Sequence, residues 1–190
     1  MLLTACGSGS PDRQNATRNL SGGIETFGSR VTEATVLGTS IPFSGDAAPG
    51  VHPDPRELVT VVRVIEPAAV ARSAGGRLRA KAGFGYLSVE LSIHDLGPTA
   101  YRGNPGQETS LISENTGGHF GRRLGGVAGP GLCATNLMRA IALAAGQTVR
   151  GCLFFEVPVT QRVSAVQYQT QGGIGENIAT WAVNRSAVHG

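Results

Sequence analysis

The reactive side chains of this chain are its three cysteines, and their positions set one apart from the other two. Cys6 closes the tetrapeptide Leu3-Thr4-Ala5-Cys6 and is followed at once by Gly7-Ser8-Gly9-Ser10. Small residues beside a thiol let a peptidase reach the backbone, and the polar run after it cannot pack. This is the form of a bacterial site at which a cysteine is acylated and the chain is cut before it. Cys6 is therefore read as a lipid anchor. Only Met1-Leu2-Leu3 stand before Thr4-Ala5-Cys6, whereas an export signal needs a basic start and an apolar segment of roughly 7–15 residues. The motif thus predicts a longer precursor, with residues 1–5 the remnant of its signal peptide. An exported chain sits in an oxidising compartment, where Cys133 and Cys152 form an even pair and are expected to make a disulfide worth about 3 kcal/mol in the chain-entropy model.

Other groups with catalytic or ligating power do not converge. No Gly-x-Ser-x-Gly elbow is present, and His94-Asp95 are neighbours at a strand end, so their side chains point apart. Gly172-Gly173-Ile174-Gly175 has no following helix to hold a pyrophosphate and reads as a turn. The four histidines, His52, His94, His119 and His189, are scattered, and neither Cys133 nor Cys152 has a histidine at metal-ligand spacing. The expectation is no catalytic residue, no metal and no cofactor: a chain that is not an enzyme. Trp181 and Phe154-Phe155 read as core rather than as a ligand pocket.

The net charge is +3 with a pI near 9.1, but the arginines are scattered and only Arg122-Arg123 are adjacent. Without a basic stripe interleaved with aromatics, nucleic acid is excluded as a partner. Weak attraction to anionic headgroups or wall polymers fits a tethered protein better. No segment approaches the roughly 20 apolar residues of a membrane span, so attachment rests on lipid alone.

Composition also bounds the fold. With 28 Gly and 15% charged residues, the chain suits strands and loops rather than a helical bundle. Residues 6–30 are polar and read as a disordered, flexible tether with a reach of roughly 25–30 Å. Residues 31–190 then form one domain. Strands are expected at 31–36, 58–65, 84–94, 110–113, 148–157, 163–168 and 178–183, with a short irregular one within 137–145. The clearest is Phe84 to His94, where Leu87, Val89, Leu91 and Ile93 alternate with Ser88, Glu90, Ser92 and His94. In the strand before it, Val59, Val61 and Ile65 or its neighbour are assigned to the core. Ile41 to Pro55 reads as a long Pro/Gly/Asp-rich loop, and Gly121 to Gly131 as a mobile glycine-rich one. Seven or eight antiparallel strands at these spacings specify an all-β sandwich.

Three segments together resemble a known domain: Gly85-Tyr86-Leu87-Ser88-Val89-Glu90-Leu91 ahead of Gly97-Pro98-Thr99-Ala100-Tyr101, the unit Leu143 to Gly151 leading to Phe155-Glu156-Val157-Pro158, and Ala179-Thr180-Trp181. They are similar to the immunoglobulin-like domain of unknown function found in bacterial lipoproteins and related to an immunoprotective extracellular antigen. The likeness covers roughly 31–184 and implies an exported or surface-attached sandwich without an established catalytic constellation. The long insertion Gly118 to Asn136 departs from it.

The sequence thus predicts an extracytoplasmic protein held to the cell membrane through lipid on Cys6. Its immunoglobulin-like sandwich would bind or assemble with a protein or cell-envelope partner through the loops Ile41 to Pro55 and Gly118 to Asn136. The rival reading is a carrier holding a lipid or other hydrophobic ligand between the sheets, which needs a sizeable apolar cavity.

Overall fold

Long runs of alternating or β-branched residues decide which strands lie at the centre. A computed structural model of the chain describes residues 34–44, 55–72, 78–170, 178–184 and 188–189. In chain order its elements are β1 (Thr35–Val36), β2 (Ser40–Ser44), β3 (Pro55–Ile65), β4 (Ala71–Arg72), β5 (Phe84–Asp95) and β6 (Tyr101–Gly103). A single helical turn, α1 (Pro105–Glu108), leads into β7 (Thr109–Ser113), β8 (His119–Phe120), β9 (Arg122–Arg123) and β10 (Val127–Ala128). A 3-10 turn at Gly131–Ala134 precedes β11 (Ile141–Leu143), β12 (Thr148–Pro158), β13 (Val163–Gln169), β14 (Ile178–Ala182) and β15 (Val188–His189).

Two sheets form the frame. One has the order β15-β3-β5-β12-β9, with β2 also paired to β3, and the other β1-β14-β13-β7-β8. Labelled in the immunoglobulin convention, β3, β5, β12 and β9 are A, B, E and D, while β14, β13, β7 and β8 are G, F, C and C′. That strand order is the immunoglobulin arrangement. The eight frame strands pair antiparallel, and β1 on β14 and β15 on β3 add the parallel pairs.

Alternation places one side of each central strand between the sheets. Leu87, Val89, Leu91 and Ile93 of β5 and Leu153, Phe155 and Val157 of β12 join Phe43, Tyr168 and Trp181 in the main core. The ring centroids of Phe43 and Tyr168 lie 5.1 Å apart, edge to face, and the Trp181 indole N–H donates to the Thr39 carbonyl at 2.8 Å. Burying that donor without a partner would cost on the order of 1–3 kcal/mol. In β3 a bulge between Val61 and Arg63 shifts the register, so Val59, Val61 and Val64 point inward; the core residue is the neighbour of Ile65.

The outer face of the A-B-E-D sheet is also partly covered. Val70, Tyr86, Leu124, Val127, Cys133, Cys152 and Phe154 form a second apolar cluster there, beneath the β4–β10 pair. Phe154 and Phe155 are both core, on opposite faces of one strand. Cys133 and Cys152 are joined by a disulfide with Cα atoms 4.9 Å apart. It does not bridge the sheets; it ties the connection before β12 to β12 itself. Gly151 makes room for that connection, since a Cβ there would sit 2.5 Å from the Thr135 carbonyl oxygen.

Three expectations are corrected. The loop assigned to Ile41 to Pro55 begins as strand β2, whose Pro42 is tolerated on an edge and whose Phe43 is buried; residues 45–54 lie outside the described residues. The glycine-rich loop Gly121 to Gly131 contains β9 and β10, and the insertion Gly118 to Asn136 is a packed layer rather than a free loop, because Leu124, Val127 and Cys133 find apolar partners on the outer sheet face. Tyr101–Gly103 and α1 were not expected at all. The predicted tether, Cys6 and residues 31–33 of the first strand lie outside the described residues.

Replacing Cys133 and Cys152 together by Ser should therefore lower the unfolding free energy by about 3 kcal/mol, through loop closure over a separation of 19 residues. Urea titration followed by Trp181 fluorescence measures it; an unchanged midpoint would show that the clip adds nothing.

Candidate functional site

The densest gathering of titratable side chains lies at the end of the sandwich where β3 begins and β5 and β13 finish. Glu57 of β3 stands opposite Asp95 of β5, and both are buried. After β5 the chain turns back on itself because Asp95 accepts hydrogen bonds from the Gly97 and Tyr101 amides, at 2.9 and 3.1 Å. That turn delivers Tyr101 and then α1, whose last residue, Glu108, reaches the same space. Glu108 accepts from the Tyr168 hydroxyl at 2.7 Å, from the Tyr101 hydroxyl at 3.3 Å and from the Asn104 amide at 3.1 Å. The two phenol oxygens are 3.2 Å apart.

Three buried carboxyl groups, with no cation paired to them among the described residues, repel one another, and the cost falls on the least satisfied. Glu57 Oε2 has no hydrogen-bond partner among the described residues. Burial first, then the Glu108 charge, push the Glu57 carboxyl from 4.5 up to about 8, with a hydrogen bond from Tyr101 opposing and Asp95 adding to the rise. Burial, followed by the neighbouring carboxylates, also drives both phenols upward, so they stay protonated donors. Glu108 lines a shallow cavity of about 480 Å³ together with Asn104 and Arg102. Chemically the cluster is a buried set of carboxyl and phenol groups in which Glu108 and Asp95 find donors and Glu57 Oε2 does not.

A second polar group lies on the outer sheet face. Glu90 is fully buried, yet its two oxygens each accept from an arginine Nε at 2.6 Å, Arg63 on β3 and Arg150 on β12. Two half-exposed guanidinium groups thus roof a carboxylate and cap the sheet. Beside them His94 Nδ1 lies 2.8 Å from the Thr148 hydroxyl, while Arg122 pairs with Glu156 at 2.8 Å.

The sequence-predicted residues fall as follows. His94 faces outward and Asp95 inward, so they form no dyad. His119 stands on β8 of the opposite sheet; His52 and Gly172 to Gly175 lie outside the described residues, and His189 belongs to β15. Among the described residues no group of three or more His, Cys, Asp and Glu side chains has metal-binding geometry. Sequence reading missed Glu57, Glu108, Tyr101 and Tyr168, which come from three separate stretches of the chain. A signal existed: Glu57 and Asp95 both fall on the inward-facing positions of their strands, in step with Val59 and Val61 and with Leu91 and Ile93.

No protein-family model matches the chain, and no curated protein matches it. Among solved structures it is similar to ycdA, a candidate lipoprotein of Bacillus subtilis, at 12% identity and a TM-score of 0.47, covering 78% of this chain and 41% of that one. The yjhA protein of Bacillus subtilis is similar at 16% identity and 0.45, covering 70% and 79%. A beta-sandwich protein of Clostridium difficile is similar at 10% identity and 0.43, covering 82% and 99%. The chain spans less than half of the first of these structures. Its own strand order defines the class: an all-β sandwich of immunoglobulin connectivity.

Because Glu57 keeps its proton in the folded state up to about pH 8 and loses it near 4.5 when unfolded, the folded state binds the extra proton between those values. Stability should fall as pH rises through that window, by up to about 1.4 kcal/mol per unit. Glu57→Gln should flatten the slope, raising Tm at pH 8.5 (roughly the top of the window) more than at pH 5. Equal slopes for both proteins in thermal melts would contradict the assignment.

Proposed function

We propose that this chain is an extracytoplasmic lipoprotein, attached to the cell membrane through lipid on Cys6, whose immunoglobulin-like domain is a non-catalytic module that binds or assembles with a protein or cell-envelope partner. The observation that carries the reading is Leu3-Thr4-Ala5-Cys6 with its Gly/Ser sequel, a short motif with one chemical outcome. The kinship with immunoprotective extracellular antigens belongs to the same reading.

The fold supports the binding half of it. Immunoglobulin sandwiches present their connections at two ends on a rigid frame. Here the Gly118 to Asn136 insertion is stiffened by the disulfide and holds a concave surface of about 450 Å³ near Gly125, Val127, Asn136 and Arg139. A stiff surface loses less conformational entropy on contact than a free loop. The non-catalytic half is favoured by Glu108 and Asp95, whose oxygens are engaged by the phenols and backbone amides inside the domain. The rival, a lipid carrier, fits less well: among the described residues Trp181, Tyr168, Phe43 and Phe155 pack into the main core between the sheets.

The test is fatty-acid labelling of the protein expressed from its own locus with an alkyne-bearing palmitate. The label should appear on the protein in the membrane fraction, and Cys6→Ser should abolish it and release the protein from that fraction. Unlabelled wild-type protein in the cytosol would overturn the proposal.

A further inference from the structure

At the end of the sandwich opposite the carboxyl and phenol cluster, the space between the sheets opens into a cavity of about 380 Å³. The sequence builds it in three places. Pro67, which lacks an N–H, turns the chain away just after β3 and leaves Glu66 at the mouth. β12 ends at Pro158, and the turn that follows carries Val159 and Arg162 outward before β13 begins. A bulge between Val163 and Ala165 then interrupts pairing with β7, and Ser164 donates its hydroxyl to the Ile112 carbonyl at 3.2 Å.

The floor is apolar: Val64 from one sheet, Val163 and the residue after β14, Val183, from the other. The rim carries opposite charges. Glu66 and Arg162 both line the cavity, and the guanidinium favours the ionised carboxylate. They nevertheless form no ion pair within 4.0 Å; the pairs among the described residues are Arg63–Glu90, Arg150–Glu90 and Arg122–Glu156. Glu114, also on the rim, already has a partner of its own. Partial burial raises the Glu66 carboxyl above its ordinary value, with Arg162 opposing the rise.

A ligand entering here must therefore meet a carboxylate and a guanidinium held apart over aliphatic side chains. A neutral apolar molecule would strip water from both charges and return nothing, and a simple cation or anion would answer only one of them. We propose that this cavity binds a small zwitterion with an apolar side chain, an α-amino acid or dipeptide, its ammonium at Glu66, its carboxylate at Arg162 and its side chain on Val64, Val163 and Val183. The volume falls in the range of small-molecule sites, about 300–1,000 Å³. This deepens the reading of the domain as a binding module, and rests on it, but is independent of the lipid on Cys6.

Titration calorimetry of the full chain with dileucine tests it, alongside N-acetyl-dileucine and dileucine amide. Saturable binding of dileucine is expected, with each cap weakening it about tenfold or more, the equivalent of about 1.4 kcal/mol. Glu66→Gln should weaken dileucine by a similar factor and leave the N-acetyl compound unchanged; Arg162→Gln should do the same for the amide. The capped ligands test the wild-type protein even if a variant folds poorly. No saturation at millimolar dileucine, or indifference to both caps, overturns the proposal. An acylated, membrane-bound protein that ignores dileucine would defeat this inference and leave the lipoprotein reading standing.

Discussion

The β5–β12 ladder is the pairing on which the other parts of the domain are hung. It runs unbroken from His94 opposite Thr148 to Phe84 opposite Pro158, apolar along its inner side and over one stretch of its outer side. On the inner side Leu87, Val89 and Leu91 meet Leu153 and Phe155, and there the second sheet docks. On the outer side Tyr86, Cys152 and Phe154 receive the β4–β10 layer. Burying these surfaces supplies roughly 25 cal/mol for each Å² of apolar area removed from water. Loss of alignment in this ladder would expose both interfaces at once.

Two of the buried carboxyl groups on strands of this sheet, Glu90 and Glu57, show how differently the fold accommodates charge. Glu90 is matched oxygen for oxygen by Arg63 and Arg150, whose own exposure lets water solvate the remaining guanidinium nitrogens. Glu57 has Asp95 and Glu108 for neighbours and keeps a proton instead. Removal from water is costly for either ionised group. The difference is what stands nearby: Glu90 lies at the middle of the sheet, between two strands that each carry an arginine on the same face, whereas Glu57 lies at an end where the returning chain brings tyrosines and another acid.

How far the sequence predicted this depended on the range of the forces involved. Strict alternation in Phe84–Asp95 and the β-branched run in β3 are local signals, and the strands they mark stand where expected. The bulge in β3 left only the identity of one inward residue open, Ile65 or its neighbour. Local signals failed for the insertion, where glycines suggested a free loop; Leu124, Val127 and Cys133 are too widely spaced to show periodicity, and they are buried only because the outer sheet face is there to receive them. The same holds for the acidic end. Glu57, Glu108 and Tyr168 lie on three separate elements, and only the sandwich closure brings them together. The disulfide was legible by counting, but not its place, which lies outside the inter-sheet core rather than across it.

The two ends of the sandwich then differ in a way that bears on where a ligand can be accommodated. At the β3 start, two phenols and the turn amides of Gly97 and Tyr101 engage Glu108 and Asp95. A ligand there would have to break bonds already made, losing on the order of 1–3 kcal/mol for each buried group left unmatched. At the β3 finish, Glu66 and Arg162 stand apart over valines. Among the described residues neither charge is in an ion pair within 4.0 Å, so each keeps its need for a partner. A molecule bringing its own ammonium and carboxylate supplies two charge-assisted contacts and covers the valines as well. On this accounting the proposed zwitterion would break fewer bonds between protein groups at the β3 finish than at the β3 start.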